Sequence, residues 1–378
     1  MSILLFLLPG LGDALAAGPI LDGIQVVGRR VDVLAMLDPV AEYARSLPMV
    51  ERVDQFDLNA GRGEAVRAAR TLRARRYDIA LLPFPATRWE YHALARAIGA
   101  KRLVTHRYGG FAEILDRTQH VTLVDLAGGH RASENQRLAH AAGLGGGLHY
   151  VLPATWHIPA RHGLLGVHTG TMRYKGNEVR RWPVERFASL VDRSLAAGRS
   201  IRIFIGPHES EDEVALARFR ESPAVEFVKT DLGSAARSLS ECEVFVGNDA
   251  GFAHLAAGLN VKTVVLFGMT DPLRLQPLGP SMAVRPTSCP ACHDEGMKTF
   301  ACVLDIGYRC TRMDLTVDIA AAAVDRAFAG PVAALRPTLA GPFRLYGRGR
   351  AATSALITTT IDSSIHSNPP NSDAASGA

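Results

Sequence analysis

The sequence is short of the features that mark secreted, membrane-spanning or nucleic-acid-binding chains. Cysteine is scarce, with five among 378 residues, and four of them crowd between Cys289 and Cys310. An odd, uneven set does not staple a secreted fold, so a reducing, cytoplasmic setting is expected. No run of about 18 apolar residues lacks breakers, and no transmembrane helix is expected. The start MSILLFLLPGLGDALAAG has an apolar centre and an Ala-x-Ala-like end. It carries no Lys or Arg before Arg29 and places Asp13 in the middle, so it reads as a buried first strand, a glycine turn and a helix, not a signal peptide. No helix-turn-helix, RNP-like or zinc-finger spacing is present, and no nucleic-acid partner is expected. The net charge of +5 is mild and suits an anionic small ligand or an anionic membrane surface. No repeat of solenoid period occurs. Gly10 and Gly12 do not complete G-x-G-x-x-G, which weakens a dinucleotide reading.

What is there is an ordinary globular balance, 47% hydrophobic and 21% charged, at a length that suggests two domains. Short apolar runs at 3–8, 31–37, 50–56, 78–84, 102–106 and 120–126 alternate with helix-like stretches such as 62–76 and 88–99. Strand-helix alternation with buried strands reads as a parallel sheet covered on both faces. A Gly- and Pro-rich stretch, 142–163, breaks the pattern and is taken as the domain boundary. The pattern then restarts, with strands expected at 164–170, 200–206, 225–229, 243–248 and 262–268. Its helices are expected from Pro183, near 210–221 and 233–241, at 251–259 and at 316–330. The expected layout is α/β: two Rossmann-like, doubly wound domains, 1–155 and 156–330, facing a central cleft in the manner of GT-B enzymes. A tail, 346–378, is too polar to bury a core and is expected to be disordered.

Three segments carry chemistry. In PGLGDALAAGPIL (9–21) a strand ends in a tight turn, Gly12 allows close approach, and Asp13 sits near a helix N-terminus. A carboxylate there can accept a proton from a hydroxyl; it can equally be a plain N-cap. In GNDAGFAHLAAGLNVKTVVLFGMTDP (247–272) a strand delivers Asp249, Ala250 and Gly251 to a helix start, whose N–H groups form an anion site. His254 faces that site or is a packed core histidine. Thr270 and Asp271 lie in the turn after the next strand, where they meet a ligand or cap the turn. In VHTGTMRYKGNEVRRWPVERF (167–187) the cations Lys175, Arg180 and Arg181 could neutralise a diphosphate, or form a solvated loop. Cys289, Cys292, Cys302 and Cys310 form a C-x2-C-x9-C-x7-C set. That spacing admits a structural zinc, and equally a loop of reduced thiols or one labile disulfide.

At these motifs the sequence resembles the heptosyltransferase family, glycosyltransferase family 9. LGDALAAGPIL resembles the family's N-terminal signature, 75–107 its following stretch, and RRWPVERFASL its K-x-W-P-x-e-x-f segment. GNDAGFAHLAAGL with LFGMTDP resembles its D-[ST]-G-x-x-H-L-A-A-x-L and G-P-T-D-P donor motifs. The resemblance implies an inverting transfer of a heptose-like sugar from a nucleoside-diphosphate donor such as ADP-heptose to a lipopolysaccharide-core or related glycan acceptor. It implies Asp13 as catalytic base and no cofactor for catalysis. Gly12, Lys175, Arg180, Arg181, Asp249, Ala250, Gly251, His254, Thr270 and Asp271 are then expected around the donor. Arg88, His106 and Arg107 are weaker candidates for the acceptor. A lipid-linked acceptor would bring the protein to the inner face of the membrane as a peripheral contact. Three positions depart from the family pattern: Arg180 stands for Lys, Ala250 for Ser or Thr, and Met269 for Pro. An epimerase acting on nucleoside-diphosphate sugars and a non-catalytic nucleotide-sugar binder stay open as rivals.

Overall fold

A computed structural model describes residues 1–108, 120–171, 176–207, 209–286, 289–293 and 301–335. Lys175 and the tail from residue 346 lie outside these. Residues 1–345 form one compact unit that holds two sheets.

The first sheet contains β1 (Ile3–Leu7), β2 (Val31–Ala35), β3 (Val50–Gln55), β4 (Ile79–Leu82), β5 (Arg102–His106) and β6 (Val121–Val124). Their order is β3-β2-β1-β4-β5-β6, with every pairing parallel. β1 is buried at all five residues, as a central strand covered on both faces must be. β3, an edge strand, has no buried residue: two are exposed and four are partly buried.

The second sheet repeats the winding. It contains β7 (Arg161–His168), β8 (Ser200–Phe204), β9 (Val225–Val228), β10 (Cys242–Asn248), β11 (Lys262–Leu266) and β12 (Gly279–Val284), plus a two-residue antiparallel β13 (Ala334–Leu335). Its order is β13-β12-β11-β10-β7-β8-β9. In each half the chain starts in the middle, winds to one edge, returns, and winds to the other. The strand order therefore reverses between β1 and β4, and again between β7 and β10. At such switch points the loops diverge and leave a crevice beyond the carboxyl ends of the strands.

Most of the alternation read from the sequence is present, with element ends shifted by a few residues. The larger differences are these. The helix after the first strand is two helices, Leu11–Ala16 and Gly18–Val26, the second opened by Pro19. A helix at Asp38–Arg45, another at Arg131–Ala141 and the strand β12 had not been assigned. The Arg131 helix escaped because its exposed and buried residues give almost no apolar stripe: Ser133, Glu134 and Asn135 are all buried.

The apolar core is continuous between the two sheets. Leu7, Leu15 and Ile20 belong to the same buried cluster as Phe245, Leu255 and Phe267. Polar struts join the halves as well. Tyr43 Oη donates to the Val151 carbonyl at 2.7 Å, and the Gly233 N–H donates to Glu42 at 3.0 Å.

Candidate active site

β1 hands the chain through Pro9-Gly10 to the Leu11–Ala16 helix at the first switch point. Gly10 occupies the N-cap in an extended conformation, and its carbonyl accepts the N–H groups of Asp13 and Ala14. Asp13 therefore lies inside the first turn and does not cap it. Its Oδ1 is paired with the Arg131 guanidinium, a residue the sequence reading did not single out. Both side chains are about four-fifths covered, at 17% and 20% exposure. Oδ2 has no hydrogen bond among the described residues. Arg131 opens the helix that the sequence pattern hid, which is why it went unnoticed. His130 caps that helix by accepting the Ala132 N–H at Nδ1, and its Nε2 meets the Gln276 carbonyl at 2.7 Å.

At the second switch point β10 ends in Asn248. Asn248 takes the Trp182 N–H at 2.8 Å and donates to the Thr169 carbonyl at 2.7 Å, fixing the ends of β7 and β10 together. Ala250 is the N-cap of the Gly251–Gly258 helix, extended at φ −150°, ψ 164°, and no side chain caps the first turn. That leaves the opening N–H groups and the positive end of the helix dipole directed at the crevice.

The two helix tips touch. A Cβ on Gly251 would lie 2.8 Å from the Gly12 nitrogen and 2.9 Å from Leu11 Cβ. A Cβ on Gly12 would lie 3.0 Å from His254 Cδ2 and 3.4 Å from the Gly251 Cα. A side chain at 251 would force the turn away and one at 12 would press on His254, so the two glycines allow this approach, which sets Asp13 one residue from the contact.

His254 is buried, and its Nδ1 lies 2.7 Å from Tyr150 Oη. Burial drives its pKa down to about 3 against the attraction of Asp249, so the ring is neutral. Asp249 is also buried. Its Oδ2 takes the Thr270 hydroxyl at 2.8 Å and the Arg180 guanidinium, and Arg180 donates to its carbonyl at 2.7 Å. Burial raises the Asp249 carboxyl, but the Arg180 guanidinium, helped by the Thr270 hydroxyl, outweighs it and holds the group below its ordinary value.

The other expected residues have separate fates. Arg181 is engaged by Asp212 and the Thr169 carbonyl, and the Thr169 hydroxyl donates to Asp212 at 2.6 Å; this guanidinium braces the loop. Asp271 caps the Pro272–Leu275 turn, accepting the Leu273 N–H at 3.0 Å. Arg88 donates to Asn59 at 2.9 Å and lies over the Tyr91 ring, and Arg107 pairs with Asp125 at 2.8 Å. His106 is fully buried, its Nε2 meets the Glu134 carbonyl at 3.1 Å, and burial lowers its pKa to about 3.

An acid not expected from the sequence lies beside the end of β7. Glu209 lies 3.2 Å from His168 Nε2 and accepts the Gly206 N–H at 2.7 Å. Burial would raise its pKa, but His168 wins and brings it to about 2. A Cβ on Gly170 would fall 1.3 Å from its Oε1, so the carboxylate occupies space that glycine vacates.

All five cysteines are free thiols. Cys289 and Cys310 are buried with Met269, and burial raises both thiols; Cys310 pushes Cys289 further up, whereas the hydrogen bond between them pulls Cys310 back. Cys302 is held below its ordinary value by the N–H groups of Tyr308, Ile306, Leu304 and Asp305, which outweigh its slight burial. Among the described residues no three side chains gather as metal ligands, so these positions give the zinc expectation no support.

Two Rossmann-like halves that bring their crevices together, one bearing an acid and the other an uncapped helix tip, define a glycosyltransferase of the GT-B class. The chain belongs to glycosyltransferase family 9 (heptosyltransferase), whose family model matches residues 111–299, half of the 378. It is 22% identical over 291 residues to lipopolysaccharide heptosyltransferase 3 of Escherichia coli, covering 72% of this chain and 84% of that protein. Its fold is similar to a family 9 glycosyltransferase from Veillonella parvula, with TM-score 0.68, 19% identity, and 87% and 97% of the two chains covered. It is also similar to the E. coli heptosyltransferase WaaC with ADP-2-deoxy-2-fluoro heptose, at TM-score 0.64, 19% identity and 86% and 99% coverage.

Proposed function

We propose that this enzyme moves a heptose-like sugar, with inversion, from an ADP-sugar to a lipopolysaccharide-core or related glycan hydroxyl. The observation that carries the reading is the contact between the Asp13 turn and the Gly251 helix tip. A diphosphate at that tip would place the anomeric carbon next to Asp13. The acceptor oxygen attacks this carbon as its bond to the diphosphate oxygen breaks; Asp13 takes the hydroxyl proton, and the diphosphate leaves with the electron pair. The helix N–H groups, His254 and the cations near Asp249 lower the cost of that charge. The relatives support the donor and acceptor classes: one is a lipopolysaccharide heptosyltransferase, and one is solved with an ADP-heptose analogue.

No described helix is long and apolar enough to cross a membrane. A lipid-linked acceptor and the net charge of +5 support peripheral contact with an anionic inner leaflet. The defining experiment supplies ADP-heptose and a heptose-deficient lipopolysaccharide core to the wild type and to Asp13→Asn. Transfer by the wild type and a loss of about 10²- to 10⁴-fold in the variant are expected. Near-normal transfer by D13N removes Asp13 from the mechanism.

A further inference from the structure

Tyr150 belongs to the segment joining the two halves, outside every motif, yet its hydroxyl is the described partner of His254 Nδ1, at 2.7 Å. The slot it occupies is built for it. A Cβ on Gly18, in the first half, would lie 2.9 Å from the Tyr150 Cα; a Cβ on Gly258, in the second half, would lie 3.0 Å from its Cδ2. Both glycines yield room for the segment around Tyr150, Gly18 also clearing the His149 carbonyl and Gly258 the Leu152 side chain, and the Tyr150 ring lies 5.9 Å from the His254 ring.

The chain of hydrogen bonds starts from a fixed donor. The Leu278 N–H can only donate, and it donates to Tyr150 Oη at 3.0 Å. Burial pushes the phenol above its ordinary pKa, so it keeps its proton. Among the described residues the acceptor within reach of that proton is His254 Nδ1, 2.7 Å away. With Nδ1 accepting, the neutral ring carries its hydrogen on Nε2. Nε2 lies on the edge facing Gly12, 3.4 Å from where a Cβ there would sit. It has no hydrogen bond among the described residues and is not among the sealed, unpartnered buried atoms.

We propose that Tyr150 is a positioning residue that fixes His254 in the Nε2–H tautomer, so that a neutral imidazole presents a donor to the anionic leaving group at the junction of the two helix tips. The chain Leu278 N–H to Tyr150 to His254 thus makes the linker part of the catalytic apparatus. A neutral donor of this kind stabilises charge that develops in the transition state and needs no reorganisation when it appears. The part about the leaving group rests on the transfer reaction proposed above; the tautomer does not.

The test has two arms. Histidine 15N NMR of the full chain, with the His254 signals assigned by their loss in His254→Gln, reads the tautomer without any substrate. Wild type is expected to show Nε2 protonated and Nδ1 accepting, and Tyr150→Phe, which keeps the ring in its slot, a mixture of tautomers. The second arm is a kinetic cycle. Y150F is expected to lower kcat roughly tenfold in the wild-type background, the effect of one lost buried hydrogen bond. In the H254Q background, where an amide N–H replaces Nε2–H and has no tautomer, it should have almost no effect. A wild-type ring protonated at Nδ1, or an unchanged tautomer in Y150F, overturns the proposal. A tautomer shift with unaltered kcat also overturns it. If no sugar transfer is found at all, the NMR arm still decides the tautomer while the proposed function fails separately.

Discussion

Gly251→Ala is the sharpest probe of how the two halves meet. The new Cβ would stand 2.8 Å from the Gly12 nitrogen and 2.9 Å from Leu11 Cβ, and neither neighbour is the end of a flexible side chain. An ordinary contact lies near 3.5–4.0 Å, so the Asp13 turn must retreat by roughly 1 Å. Overpacking of this kind costs about 1–3 kcal/mol, while alanine in a helix regains about 0.5–1 kcal/mol over glycine. The net expectation is a loss of about 1–2 kcal/mol, read as a fall in denaturation midpoint. The activity effect should be larger, because a displacement of about 1 Å in an aligned site costs on the order of 10²-fold in kcat. Gly63→Ala is the control. Gly63 lies in the Arg62–Arg73 helix with nothing within 4 Å of its added Cβ. That change should stabilise by about 0.5–1 kcal/mol and leave turnover alone. Wild-type kcat in G251A would refute the claim that the glycine contact sets the distance between base and leaving group.

Other outcomes follow from the same geometry. Arg180→Met strips the buried Asp249 of its guanidinium and leaves the Thr270 hydroxyl as its described partner; a loss of about 3 kcal/mol in chemical denaturation is expected. The double variant with Asp249→Asn should recover much of that, and if R180M unfolds like wild type the pair contributes nothing. Acid should unfold the protein early. His106, His130 and His254 have folded pKa values of about 3, 4 and 3, burial being the main cause in each. In the unfolded chain they titrate near 6.5. Because the unfolded state binds more protons between those values, stability is full above about pH 6.5 and drains as pH falls toward 4 and then 3. Each costs about 2 kcal/mol at pH 5, so the melting temperature should drop steeply from pH 7 to 5. A flat profile over that range would mean these rings are not buried neutral. Glu209, at about 2, adds a second loss below its unfolded value of 4.5.

The parts of this protein legible in the sequence are those written in local pattern. Apolar runs such as 3–8 and 243–248 alternate with helical stretches, and that alternation leads to two parallel sheets because buried strands and crossover helices leave distinct periodicities. The Gly-Asp turn and the N-D-A-G helix start are also local, since a strand ending in small residues before a helix exposes N–H groups wherever it occurs. What tertiary structure alone decided is which side chains of distant segments meet. Arg131 on Asp13, Tyr150 on His254, Glu209 against Gly170 and Gly12 against Gly251 join residues from 39 to 239 positions apart. No period marks such pairs, because they arise from how two sheets present their switch points to each other. His106 shows the converse: a strand-end histidine beside Arg107 looks like a surface ligand in sequence, and only packing against Phe84 and the Glu134 carbonyl reveals it as interior.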